Sequence, residues 1–493
     1  MRASGVLLPI SSIPSNYGIG CFSKEAYEFV DQLVRGGQKF WQILPLGPTG
    51  YGDSPYQSFS TFAGNPYFID LEVFIREGYL TEWDCRSCDW GGSDSYVDYE
   101  KIYKSRFKLL RLAFSKYQGR NDPEYQRFVE KNAAWLEDYC LFMAIKDTQD
   151  GRSWLEWPEP LKKREPEALA SAREKLEEEI SFYRFQQYWF FKQWCWLKTY
   201  ANNSGIQIIG DVPIYVAADS ADTWSSPELF QFDEENLPKA VAGCPPDGFS
   251  ATGQLWGNPL YDWDYHRKTG YDWWTRRMEH CMEIYDVVRI DHFRAFDEYY
   301  AIPYGDPTAE FGRWKKGPGL ELFHLLEEKI PRLSVIAEDL GLLTDTVIQM
   351  VKDSGFPGMK VLQFAFDASW DSIYLPHKYE KNCIVYTGTH DNETTRGWYE
   401  HLSEYDRKFV QAYTSCKDQP VEDCVWALIR AAQSSVAEYC VIPVQDYLCL
   451  GNEARMNAPG TLGDNWKWRL VKGQITEDVL GKMRALTRLY GRL

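Results

Sequence analysis

Short apolar runs, each closed by a polar, Gly or Pro residue, recur along the chain and alternate with longer stretches whose apolar residues repeat at helical spacing. Eight runs have strand character: 5–9, 40–46, 206–212, 287–291, 334–338, 358–364, 383–389 and 440–445. Continuous apolar strands separated by helices belong in a parallel sheet covered on both faces, and eight of them predict closure into a barrel. The expected fold class is α/β, a (β/α)8 TIM barrel in which 1–493 forms one catalytic unit.

The gaps between the runs are unequal. The stretch 47–205 holds helical patterns at 99–114, 125–145 and 176–200, which predicts a mainly helical subdomain inserted in a barrel loop. Within it, Asn121-Asp122-Pro123 reads as a helix start, a capping side chain followed by proline in the first turn. The segment 216–285 is rich in Gly, Pro and Trp without clear periodicity and is expected to be an ordered, loop-rich subdomain lying over a ligand. The charged run 162–179 (KKREPEALASAREKLEEE) reads as a solvated helix face. Neither internal repeats nor low-complexity tracts occur.

Active sites of parallel barrels gather at the C-terminal ends of the strands, so the first polar residue after each run is the place to look. Four of these are acidic: Asp211, Asp291, Glu338 and Asp391. One strand-end carboxylate can serve as a structural acceptor, but four at one mouth repel each other unless chemistry needs them. Glycoside cleavage supplies that need: an anion under the oxocarbenium-like transition state and an acid beside the leaving oxygen, about 5 Å apart in a retaining enzyme. The acid must have a raised pKa, through burial or a like-charge neighbour. Arg289 lies two residues before Asp291, so strand alternation puts both on one side of the wall, where the guanidinium keeps Asp291 ionised. Glu338 lacks an equivalent adjacent cation and can stay protonated.

The segments Asp211-Val-Pro-Ile-Tyr-Val, Val288-Arg-Ile-Asp-His-Phe, Ala337-Glu-Asp-Leu-Gly and Thr389-His-Asp-Asn resemble the four signature regions of the α-amylase clan, in the same order. The loop Pro245-Pro-Asp-Gly-Phe-Ser-Ala-Thr-Gly-Gln-Leu-Trp-Gly-Asn-Pro resembles that of the 4-α-glucanotransferases of glycoside hydrolase family 77, the amylomaltases or disproportionating enzymes. With Ser54-Pro-Tyr-Gln early and Arg455-Met-Asn-Ala-Pro-Gly late, the resemblance spans nearly the whole chain. It implies Asp291 as nucleophile, Glu338 as acid and then base, and Asp391 as the holder of the distorted sugar's hydroxyls. It further implies Tyr56 as a stacking ring, Asp211 as a support, His390 as a donor to a sugar hydroxyl, and Trp256 with Asp247 as loop contacts to acceptor sugars. Ser54, Gln254, Arg289, His292 and Asn457 complete the residues expected to face substrate. Glu393 departs from the pattern, standing where many relatives carry Asp, a change expected to fall outside direct substrate contact.

Composition fits a neutral polyhydroxylated ligand. Aromatic residues make up 16% of the chain, and sugar C–H faces stack on such rings. With 71 acidic and 54 basic residues the formal net charge is −17, which repels phosphate backbones and anionic lipids, so no nucleic acid or membrane partner is expected. No metal or cofactor is expected either: the first signature region lacks the Asn and His that resemble calcium-linked positions in α-amylases, and no dense Asp/Asn/Gly loop supplies oxygen ligands. The twelve Cys are scattered singly, as reduced buried thiols are, and Cys85 and Cys88 lack a second pair at zinc spacing. With no signal-peptide-like start and no long apolar run, the expected location is cytoplasmic, or plastid stroma for a plant chain without its transit peptide. The sequons at Asn202 and Asn392 are then chance matches. The protein is expected as a monomer or homodimer.

A covalent glucosyl-enzyme can be intercepted by water or by a sugar hydroxyl. A long aromatic loop at 244–261 favours transfer, since transfer requires an acceptor to be aligned while water is excluded. The alternatives are an α-glucan hydrolase of the same clan and a non-catalytic glucan-binding scaffold, the latter opposed by the presence of all three acids. A nucleotide-dependent enzyme rests only on Gly18-Ile-Gly20, without the third glycine of such a loop.

Overall fold

The computed structural model describes residues 2–50, 52–119, 122–246, 250–341, 343–366, 370–461 and 463–493. Among these residues the strands are β1 (Ala3–Leu7), β2 (Phe40–Gln42), β3 (Gln207–Val212), β4 (Ala240–Cys244), β5 (Gln254–Pro259), β6 (Val287–Ile290), β7 (Glu298–Pro303), β8 (Arg313–Lys316), β9 (Val335–Ala337), β10 (Gly358–Val361), β11 (Cys383–Tyr386) and β12 (Tyr439–Pro443). Eight of them close into a barrel in the order β1-β12-β11-β10-β9-β6-β3-β2. Every pairing in it is parallel.

Each barrel strand falls on one of the eight predicted runs, but most end earlier than the run does. β2 stops at Gln42 although Ile43, Leu44 and Leu46 remain buried. Apolar sequence follows burial, and the first loop residues at the rim are as buried as the strand itself, so the pattern cannot mark where the ladder stops. The interior holds a buried polar contact, in which the Tyr386 hydroxyl donates to Gln42 Oε1 at 2.8 Å.

The loop after β2 carries helices Tyr99–Lys116, Pro123–Thr148 and Glu177–Asn203. Asp122 caps the second of these, accepting the Glu124 N–H at 2.8 Å with Pro123 in the first turn, as its spacing predicts. Asn121 lies outside the described residues. Helix Glu177–Asn203 buries Phe182, Phe185, Trp189, Phe190, Trp194 and Leu197 in the main core and leads directly into β3. A second cluster, with Leu136, Phe142, Trp154, Trp157 and Trp224, forms beneath helix Pro123–Thr148. The charged run 162–179 is not one helix face. Arg164 adopts a left-handed φ of 56°, Pro166 opens a new helix Pro166–Lys175, and the chain breaks again at Leu176 before Glu177. Proline lacks the N–H that would continue the preceding helix.

The expectation of a loop-rich stretch at 216–285 needs correction. It contains helices Trp263–Lys268 and Asp272–Ile284 as well as β4 and β5. These strands join β7 and β8, from the loop after β6, in an antiparallel sheet ordered β5-β4-β7-β8. Helix Asp272–Ile284 escaped the periodicity test because Arg277 sits on its buried face, donating to the Ile214 carbonyl at 3.0 Å and over the ring of Trp274. None of the twelve cysteines forms a disulfide among the described residues. Among the described residues no helix is long and apolar enough to cross a membrane.

β3 approaches the ring of Tyr285 so closely that a Cβ on Gly210 would stand 2.2 Å from it. Gly210→Ala is therefore expected to destabilise the barrel by about 1–3 kcal/mol through overpacking, read as a lower urea midpoint at unchanged slope.

Candidate active site

β6 and β9 are barrel neighbours with Ile290 paired to Ala337, so the residues that follow, Asp291 and Glu338, leave the same C-terminal edge side by side. The Glu338 N–H donates to the Ile290 carbonyl at 3.1 Å. Just past Asp291 the backbone turns at His292, which takes the left-handed conformation with φ 53° and ψ 46°. Such a conformation costs a non-glycine residue on the order of 1 kcal/mol and persists where surrounding contacts impose it. Here it aims the His292 N–H at Glu338 Oε2, 2.6 Å away, while the Phe293 N–H meets the Glu338 carbonyl at 3.0 Å. Glu338 Oε1 accepts the Leu340 N–H at 2.8 Å, so both carboxyl oxygens are fixed in direction.

Beneath this pair lies the Arg289 guanidinium, only 4% exposed. One terminal nitrogen donates to both oxygens of fully buried Asp211, at 2.7 and 2.6 Å, and the other donates to Asp291 Oδ1 at 2.8 Å. Its Nε–H points to the Met359 thioether at 3.4 Å. Arg289 thus shares its charge between two acids and is committed more to Asp211 than its position beside Asp291 suggests. Asp211 is neutralised inside the wall, and its Oδ2 also accepts the Tyr56 hydroxyl at 2.8 Å.

Glu338 has a different environment. Burial foremost, and then the nearby charge of Asp291, push its carboxyl up to about 7, against the opposing pull of Arg289 and the two backbone N–H groups. Burial in the same way pushes the His292 imidazole down to about 4 despite Asp291, which keeps that ring neutral.

The third acid stands at the end of β11. Burial resists its charge, but His390 Nε2 at 3.2 Å from Asp391 Oδ2 and the Asn457 amide donating to Oδ1 at 2.6 Å overcome that, and the Asp391 carboxyl is held down at about 2. His390 itself is shifted upward: burial opposes protonation, and Asp391 outweighs it. Tyr56 packs parallel to His390 with ring centres 5.2 Å apart, and Trp466 closes on both at 5.8 and 6.0 Å.

On the far side, Trp256 on β5 meets His292 edge-on at 4.8 Å, and its indole N–H donates to Gln254 Oε1 at 3.1 Å. Ser54 accepts the Tyr56 N–H at 3.3 Å, bracing that ring from within its own turn. Asp247 lies outside the described residues. The Glu393 carboxyl bonds Asn452 and His401, both at 2.7 Å, and among the described residues none of the four strand-end acids.

Four participants went unread in the sequence. Trp466 carries a left-handed φ of 66° and is tied by its N–H to the Met456 carbonyl at 2.7 Å. Arg455 donates to the Asp391 carbonyl at 2.8 Å and to that of Asn457 at 2.8 Å, which holds the late loop over β11. Met359 faces Arg289 as above. Asp446 is buried and accepts from Thr387 at 2.5 Å and from the Thr395 backbone and hydroxyl at 2.8 and 2.6 Å, tying down the loop that carries His390 and Asp391. Arg455 lies inside the late motif Arg455-Met-Asn-Ala-Pro-Gly, and Asp446 directly follows the run 440–445 behind Gln445, whereas Trp466 and Met359 occupy no strand end.

A family model described as 4-alpha-glucanotransferase, of glycoside hydrolase family 77, matches residues 8–474. The chain belongs to that family. It is 48% identical over 484 residues to a 4-alpha-glucanotransferase of Clostridium butyricum, covering 98% of this chain and 99% of that one. A Thermus thermophilus 4-alpha-glucanotransferase is 47% identical over 501 residues, covering 100% and 99% of the two chains. The solved structure of the Streptococcus agalactiae amylomaltase, in complex with acarbose, superposes with a TM-score of 0.96 at 42% identity, covering 100% of both chains. The (β/α)8 class and the family resemblance drawn from the motifs agree with these matches.

Removing one member of a buried ion pair strands the other. Arg289→Met is expected to destabilise the protein by about 3–5 kcal/mol, whereas adding Asp211→Asn should recover part of that loss. A denaturant double-mutant cycle in which the two losses simply add would contradict the coupling.

Proposed function

We propose that this chain, a 4-alpha-glucanotransferase by family, moves α-1,4-linked glucan segments from one maltooligosaccharide or starch-type chain to another by a retaining double displacement on Asp291, Glu338 and Asp391. The observation that carries this reading is the contrast between two neighbouring carboxyls: Asp291 held by a guanidinium, Glu338 buried and raised to about 7.

In the first half, an Asp291 oxygen attacks the anomeric carbon while the glycosidic C–O bond breaks. The bonding pair goes to the leaving oxygen, which takes the proton of Glu338, and the reducing-end fragment departs with a free 4-hydroxyl. In the second half, Glu338, now a carboxylate, removes the proton from an acceptor's 4-hydroxyl. That oxygen attacks the anomeric carbon and the bond to Asp291 breaks. Two inversions leave the α-configuration unchanged. Asp391, ionised and braced by His390 and Asn457, accepts hydrogen bonds from hydroxyls of the distorted sugar, and Tyr56 offers its ring beneath it. Trp256 and the 244–261 loop keep an acceptor aligned and water away, the property that separates transfer from hydrolysis.

With maltotriose as sole substrate, chromatography is expected to show glucose together with oligosaccharides longer than the starting trimer. Maltose and glucose in hydrolytic ratio, with nothing longer, would overturn transfer in favour of an α-glucan hydrolase. Asp291→Asn should still bind maltooligosaccharide while losing turnover about a thousandfold or more; retained turnover would remove the double displacement. Since only protonated Glu338 can donate to the leaving oxygen, kcat/KM for the donor should fall as pH rises through about 7. A profile flat from about pH 6 to about pH 9 would take Glu338 out of the acid role.

A further inference from the structure

β10 stands between β9, which delivers Glu338, and β11, which delivers Asp391, so the loop leaving β10 exits the rim between two of the acids. That loop carries Trp370, 61% exposed. Its ring is braced from one side by Phe409, with centres 4.1 Å apart and planes 30° apart, and its indole N–H donates to the Tyr405 hydroxyl at 2.7 Å. The segment beyond is anchored: the Ser372 hydroxyl donates to the Phe364 carbonyl at 3.2 Å, and Lys378 donates to the Asp371 carbonyl at 2.8 Å. Two other exposed aromatic residues, Trp83 and Phe311, are 75% and 71% exposed and make no ring contact among the described residues. Trp370 differs from them in being held rigid, by a stacked ring and a hydrogen bond, with its other face open to solvent.

We propose that Trp370, backed by Phe409 and Tyr405, is an accessory stacking platform for a stretch of glucan running out of the active-site cleft; this rests on the glucanotransferase reading above. An indole face matches the C–H face of a pyranose, and a ring already immobilised loses little freedom when a sugar packs on it. Tyr405, which accepts the indole N–H, keeps its own O–H to donate to a sugar oxygen. The platform favours long chains: a polymer can span from the cleft to Trp370, and its second contact then forms within an already bound molecule. A trisaccharide filling only the cleft gains nothing from it.

Trp370→Ala is expected to lower kcat/KM for amylose by about three- to tenfold and to leave that for maltotriose within about twofold, with Trp370→Phe recovering much of the loss. Retardation of the intact protein in amylose-containing native gels should weaken in the same order, with unchanged thermal melting showing that both variants fold. Equal losses on both substrates, or an unchanged rate and mobility with amylose, would overturn the platform. Absence of transfer by the unsubstituted protein would instead overturn the reading on which it rests.

Discussion

A single guanidinium organises the centre of this protein. Arg289, almost wholly removed from solvent, must have its charge balanced, and it is balanced by two carboxylates from adjacent barrel strands, Asp211 and Asp291. An unpaired charge at that depth costs several kcal/mol, so β3 and β6 are bound to present those acids in that register. The parallel pairing of Asp211 with Arg289 across the two strands is the backbone expression of this requirement. Met359 on β10 takes the remaining Nε–H, a soft acceptor that satisfies the donor without adding a third negative charge.

The different environments of the two central acids follow from that arrangement. Asp291 accepts a hydrogen bond from the cation, whereas Glu338 accepts from two backbone N–H groups and feels the negative charge of Asp291. Burial and that neighbouring charge raise the Glu338 carboxyl, while Asp291 keeps its ion pair with Arg289. The left-handed turn at His292 couples the two, because the same short segment that ends β6 also directs an N–H to the Glu338 carboxyl. Around Asp391 the logic is different: an adjacent histidine and an asparagine from the late loop keep it charged.

The insertions turn a barrel into a cleft. The helical segment after β2 packs its aromatic face on the barrel and delivers the chain back to β3, while the small antiparallel sheet built from two successive loops brings Trp256 against His292. Trp466 and Arg455 close the opposite side from a loop far along the chain. The surface left open is rimmed by aromatic rings, a lining suited to neutral sugars.

By itself the sequence determined the eight-stranded barrel and the strand-end acids, because burial on both faces forces long apolar runs and barrel geometry forces the chemistry to their ends. Asp291, Glu338 and Asp391 stand where those rules place them. The extra sheet β5-β4-β7-β8 was not legible, since its strands come from two separate loops and its outer members β5 and β8 are only partly buried. Helix Asp272–Ile284 was hidden by a buried Arg277 whose carbonyl partners are remote in sequence. Tertiary structure alone decided the commitment of Arg289 to Asp211, the turn that orients Glu338, and the gathering of Tyr56, His390 and Trp466. Hydrogen bonds and ring contacts between residues tens to hundreds of positions apart leave no periodic trace along a chain; only the closed barrel brings them within reach.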